Sequence, residues 1–144
     1  MKYSNDLRIH SDKNHKDFYN DLKAIAFGDF HEIFFVCASL GYKKQRRISL
    51  GKNSDDRFWS STITPEEYSV YYSMVLNSNA MNLESVADDR NVMDEIEEYA
   101  NAGVQILITE CLEDFMLDNN RIDRIRAQDI PQEIMSYLLS VAEV

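Results

Sequence analysis

The segment FHEIFFVCASLGYKKQRR, residues 30 to 47, restricts more than any other stretch what this chain can fold into. It is the most apolar part of the sequence and it runs directly into the densest cluster of cations, Lys43, Lys44, Arg46 and Arg47. Phe30, Ile33, Phe34, Cys37 and Ala38 share one helical face, and Phe35, Val36 and Leu40 make a second. A helix that is apolar around most of its circumference needs neighbours on most sides, so it is predicted at the centre of the fold. Asp29 with Glu32 three residues later reads as a capping box at its start. Gly41 suits a left-handed C′ position, and Lys43 and Lys44 just beyond it favour the negative end of the helix dipole.

The flanking sequence supplies helices to surround it. Phe18, Leu22, Ile25 and Ala26 form one stripe between about His15 and Phe27, ended by Gly28. Thr64-Pro65-Glu66-Glu67 is a strong start signal, with a threonine cap, proline at the first helical position and glutamate at the third. The helix it opens runs to about Asn77 and carries Tyr68, Tyr71, Tyr72, Val75 and Leu76. Residues 80 to 90 read as a short turn packed through Met81, Leu83 and Val86. Val92, Met93, Ile96, Tyr99 and Ala100 mark a further helix, with Gly103 as its cap or kink. Val104, Leu107, Ile108, Cys111, Leu112, Phe115 and Met116 mark another. After the polar connector Arg121 to Arg126, the last helix starts at Asp129-Ile130-Pro131 and faces Ile134, Met135, Tyr137, Leu138 and Val141 inward.

At 144 residues with four glycines and two prolines, the chain fits one domain and favours helices. The expected fold is all-α, a single compact domain of about five to six helices around a buried central helix. The stretch from Ile48 to Thr62 lacks a helical period, with Phe58 and Trp59 anchored in the core; a short strand fits Arg57 to Ile63, leaving room for a small β-hairpin near residues 48 to 63. Residues 1 to 14 form a polar arm in which only Tyr3, Leu7 and Ile9 can pack, with Leu7 to Ile9 fitting a short extended piece or a docked arm.

The net charge is −10, unevenly divided. Residues 1 to 72 hold 11 basic and 10 acidic side chains, whereas residues 73 to 144 hold 4 and 15. An acidic total opposes indiscriminate nucleic-acid binding, because phosphate affinity is chiefly electrostatic. Cys37 and Cys111 lie on apolar faces without zinc or redox spacing and read as reduced core residues. The N-terminal sequence has no apolar signal region and no run approaches 18 apolar residues, so a cytoplasmic protein without membrane insertion is expected.

Two stretches taken together resemble a known family. FHEIFFVCASLGYKKQRR is followed about fifty residues later by EIEEYANAGVQILITECLEDF, from Glu95 to Phe115. An apolar helix ending in Leu-Gly-Tyr and cations, then Glu-Glu-Tyr-Ala-Asn-x-Gly opening another helix, is similar to the small proteins called DNA phosphorothioation-associated protein 4. The resemblance implies a prokaryotic setting beside Dnd-type systems, which modify DNA with sulfur and restrict unmodified DNA. It implies an accessory role in anti-phage defence and carries over no catalytic residues.

Among the residues themselves, Tyr42, Lys43, Lys44, Arg46 and Arg47 are the first candidate site. Four cations within five positions can clamp a phosphate backbone with Tyr42 beneath a base, or pair with a protein partner, or neutralise the acidic half of the same chain. Glu97, Glu98, Tyr99 and Asn101 are the second. Glu97 and Asn101 share a face and can bind a partner's backbone or an arginine, while a helix-ending role for Asn101 and Gly103 is the plainer reading.

No HExxH, CxxC, GxSxG or P-loop occurs, so neither an enzyme nor a metal or other cofactor is expected. The reading is therefore a non-catalytic accessory protein that binds a protein partner, with DNA disfavoured by charge. Two alternatives stand beside it. One is an acidic DNA mimic using Asp94 to Glu98 and Glu110 to Asp118; the other is a small metal-dependent nuclease using Asp88, Asp89 or Glu110.

Overall fold

The computed structural model describes residues 6 to 142. In chain order it contains β1 (Arg8–Asp12), α1 (Lys16–Ile25), α2 (Phe30–Lys43), β2 (Ser54–Trp59), α3 (Pro65–Ser78), α4 (Asp89–Glu110) and α5 (Ile130–Ala142), joined by short 3-10 turns. This is the expected all-α architecture with one small sheet. The expected polar arm is partly structured, since residues 8 to 12 form β1; its first five residues, with Tyr3, lie outside the described part.

The predicted start signals form as read. Asp29 and Glu32 complete the capping box of α2. At α3, Thr64 Oγ1 accepts from the Glu67 N–H at 3.1 Å, and Glu67 Oε1 accepts from the Thr64 N–H at 3.0 Å. Each box satisfies backbone groups that a helix start leaves without intrahelical partners.

The interior is organised by α2 lying against α4. Ile33, Phe34, Cys37 and Ala38 of α2 and Val92, Met93, Ile96, Ala100 and Val104 of α4 are buried in one apolar cluster. Phe34 meets Phe58 and Tyr71 edge-on, with ring centroids 5.2 and 6.1 Å apart, which ties α2 to β2 and α3.

Both glycines of this pair are misplaced by the sequence reading. Gly41 is an interior residue of α2, and a Cβ there would sit 2.0 Å from the carbonyl oxygen of Tyr99. Gly103 is neither a cap nor a kink, because α4 runs unbroken from Asp89 to Glu110, and a Cβ on it would sit 1.7 Å from the Cys37 carbonyl oxygen. A glycine inside a helix costs about 0.5–1 kcal/mol relative to alanine, and here it permits backbone-to-backbone contact between the two central helices. The left-handed residue after α2 is Gln45, at φ 56°. Beyond Glu110 the chain turns, so Phe115 reaches the core from a 3-10 turn rather than from a continuing helix.

The sheet pairs β1 with β2 antiparallel, with Ile9 opposite Phe58 and Asp12 opposite Ser54. Its second strand thus comes from the N-terminal segment, and a register shift after Ile9 leaves Arg57 without a cross-strand partner. Phe58 is buried as expected, but its neighbour Trp59 points outward and is 45 % exposed. Met81, Leu83 and Met135, expected to pack inward, are also exposed. Cys37 is a free buried thiol and Cys111 a free half-buried one.

Candidate docking surface

The basic turn is built by the end of α2 and held by α4. The Arg46 N–H donates to the Gly41 carbonyl at 2.9 Å, and the Gln45 side chain donates to the Tyr42 carbonyl at 2.8 Å. The Ile48 N–H donates to the Glu98 carbonyl at 3.1 Å, and Asn101 Nδ2 donates to the Ile48 carbonyl at 3.1 Å. Tyr42 packs edge-on against Tyr99 at 5.5 Å and hydrogen-bonds Asn77 through its hydroxyl. The turn therefore has a fixed position, set by groups at both ends of a helix contact.

Arg47 lies against the acidic half of its own chain, 2.9 Å from Glu98 and 3.9 Å from Glu95, with its guanidinium 5.4 Å from the centre of the Tyr99 ring. Partial burial pulls its pKa down, yet the hydrogen bond and charge of Glu98 together with Glu95 hold it above the ordinary arginine value. Lys44 reaches Glu110 at 3.5 Å, and Tyr137 of α5 donates to the same Glu110 carboxylate at 2.7 Å. That hydrogen bond, with Lys44 and Arg46 opposing partial burial, lowers the pKa of Glu110. Lys43 and Arg46 face the surface beside this junction, where the ends of α2 and α4 meet the middle of α5.

Lys43 also lines a groove between α2 and α5. The groove has a volume of about 450 Å³, and its walls are Phe35, Val36, Ser39 and Leu40 from α2 and Leu138 and Val141 from α5. Helix α5 buries Ile130 and Ile134 and packs Tyr137, Leu138 and Val141, partly buried, against the core as expected. Met135 and Leu139, one turn apart, are 60 % and 59 % exposed. A largely apolar helix with most of its surface in water stands out from isolated exposed apolar side chains, which are ordinary.

The second predicted site has a different character. Glu97 is 5 % exposed, and its Oε2 accepts from the His10 N–H at 2.7 Å and from Arg90 Nη2 at 2.8 Å. Burial raises its pKa despite these partners. Arg90 continues to the Arg8 carbonyl at 2.8 Å, so the pair fastens β1 to α4. Tyr99 and Asn101 are buried, and Glu98 is engaged by Arg47. Glu97 and Asn101 thus do bind backbone, at His10 and Ile48 of the same chain.

The acids considered for metal chemistry are each engaged in structural contacts. Asp88 caps α4, Asp89 accepts from the Tyr72 hydroxyl, and Glu110 serves Lys44 and Tyr137. Among the described residues, Asp29, His31 and Glu32 do converge, but Asp29 and Glu32 form the α2 capping box and His31 Nδ1 sits 3.0 Å from Glu67. No single helix among the described residues is long and apolar enough to cross a membrane.

Sequence reasoning located the basic turn and missed the groove beside it. The available signal was α5 itself, whose apolar residues Ile134, Met135, Leu138, Leu139 and Val141 cover more of the helix than one stripe against a core needs. In comparison with known proteins, the profile of a family described as DNA sulphur modification system-associated protein 4 matches residues 8–133. No curated protein and no solved structure matches the chain.

Proposed function

Since the chain belongs to the DNA sulphur modification system-associated protein 4 family, we propose that it is a non-catalytic accessory subunit that docks onto a protein of that system. The setting is the prokaryotic cytoplasm, in a defence context. The docking surface is the α2–α5 groove, with Lys43 in its lining, together with the exposed Met135 and Leu139 of α5 and the neighbouring Arg46.

The observation that carries this reading is an apolar groove with Lys43 of the basic turn in its lining. Such a surface is complementary to an apolar segment flanked by carboxylates, the apolar part supplying affinity and the charges fixing orientation. DNA is the weaker candidate for the same turn. Arg47 and Lys44 already face Glu98 and Glu110, and the chain carries a net charge of −10. The DNA-mimic reading loses support because Glu95, Glu97 and Glu98 are engaged by arginines.

Co-expression with the other proteins encoded by the system, followed by co-purification, tests the proposal with Lys43→Glu combined with Arg46→Glu. The expected result is a folded variant that no longer carries its partner. Recovery of the same partner at the same yield would overturn the assignment.

A further inference from the structure

A second cavity lies at the opposite end of α2, about one helix length, roughly 20 Å, from the basic turn. Its volume is about 380 Å³, within the usual range of small-molecule sites. Three cations line it, Arg8, Lys23 and Arg57, together with the rings of Phe30, Phe58 and Trp59. Asp29 is the carboxylate in the same lining.

The cations are arranged against ring faces. The Arg8 guanidinium lies 4.1 Å from the centre of the Trp59 ring, and Lys23 Nζ lies 4.7 Å from that of Phe30. Arg57, the residue that the register shift leaves outside strand pairing, is 8 % exposed and fixed by Ser11 Oγ at 2.6 Å and the Asp12 carbonyl at 3.3 Å. Asp56 and Asp55 accompany Arg8 and Arg57 without lining the cavity. An exposed tryptophan, an arginine able to stack, a surface lysine and a pre-positioned buried arginine combine the two features that hold nucleotides: a platform for a planar ring and cations for its phosphate. The net charge of −10 opposes binding along many phosphates of a DNA backbone, whereas a single phosphate is governed by the charges within about 8 Å of it, those beyond being largely screened at physiological ionic strength.

We propose that this cavity binds a nucleoside phosphate, its base against Trp59 and its phosphate toward Lys23 and Arg57. The same chemistry is offered by a free nucleotide and by the phosphorylated end of a single DNA strand. The site is separate from the docking groove and does not depend on it.

Trp59 is the sole tryptophan, so its fluorescence reports on this cavity alone. The full chain would be titrated with thymidine 5′-monophosphate, with a 5′-phosphorylated single-stranded oligothymidylate, and with inorganic phosphate. Each titration would be repeated with Lys23→Glu and with Lys52→Glu, an exposed lysine outside the cavity that changes the net charge equally. The expected result is saturable quenching by a nucleoside phosphate, weakened about tenfold or more in Lys23→Glu, as loss and reversal of a charge-assisted contact implies, and unchanged in Lys52→Glu. Binding of the mononucleotide identifies a free ligand, and binding of the oligonucleotide alone identifies a strand end. No saturable change with either probe, equal binding of inorganic phosphate, or equal weakening in both variants would overturn the proposal.

Discussion

Gly103 of α4 rests directly on the carbonyl group of Cys37 in α2, so closely that an added methyl would fall 1.7 Å from that oxygen. Tyr99 and Gly41 repeat the contact one turn along, at 2.0 Å. The atoms met are backbone in both cases, and neither helix can yield by rotating a side chain. Gly103→Ala is therefore expected to destabilise the protein by about 3 kcal/mol or more, at or above the upper end for overpacking a core. Chemical denaturation measures this directly; a midpoint equal to that of the parent would show that the helices separate without penalty.

Asp21 is almost fully buried and receives Arg121 Nε at 3.0 Å, the Ile122 N–H at 3.1 Å and Arg124 Nη2 at 3.2 Å. Burial raises its pKa, but these donors outweigh burial and leave it below the ordinary value of 3.8. Its contribution is thus present above about pH 4 and is lost as the pH falls through the lowered value. Asp21→Asn should cost about 1–3 kcal/mol at neutral pH and flatten the acid limb of the stability profile. An unchanged limb would remove Asp21 from the acid response.

Glu97 has the opposite sign. Its pKa is raised above 4.5, first by burial, with His10 and Arg90 opposing. The folded state holds the proton more tightly than the unfolded one, so this group's contribution is greatest in acid and declines as pH rises through the raised value. Glu97→Gln keeps an acceptor for the His10 N–H and should remove that decline, whereas Glu97→Ala should cost about 1–3 kcal/mol by leaving the His10 N–H without its acceptor, while Arg90 keeps Asp94 at 2.9 Å. Thermal unfolding of both variants between pH 4 and 7 separates the two effects.

How much of this was legible in the sequence depends on the distance over which each feature is decided. The capping boxes at Asp29–Glu32 and Thr64–Glu67 involve residues three apart, and both form as read. Gly41 and Gly103 read locally as turn residues because a glycine required for close approach has the same local appearance as one required for a turn. The pairing of β1 with β2 joins residues such as Asp12 and Ser54, and no local pattern announces it. The cations at 43 to 47 are visible in the sequence, but the contact of Arg47 with Glu98, fifty-one residues away, and the place of Lys43 in the groove lining are tertiary outcomes.

The exposed face of α5 is part of the proposed docking surface, and Met135 and Leu139 test it with little risk to the core, since both are exposed. Met135→Ser combined with Leu139→Ser should leave thermal stability within about 0.5 kcal/mol of the parent, as for surface substitutions generally. The measurement is the yield of the co-expressed system protein recovered with this double variant. Loss of that protein from a fully folded variant is the predicted result; recovery at the parental yield would contradict docking through α5 and the basic turn.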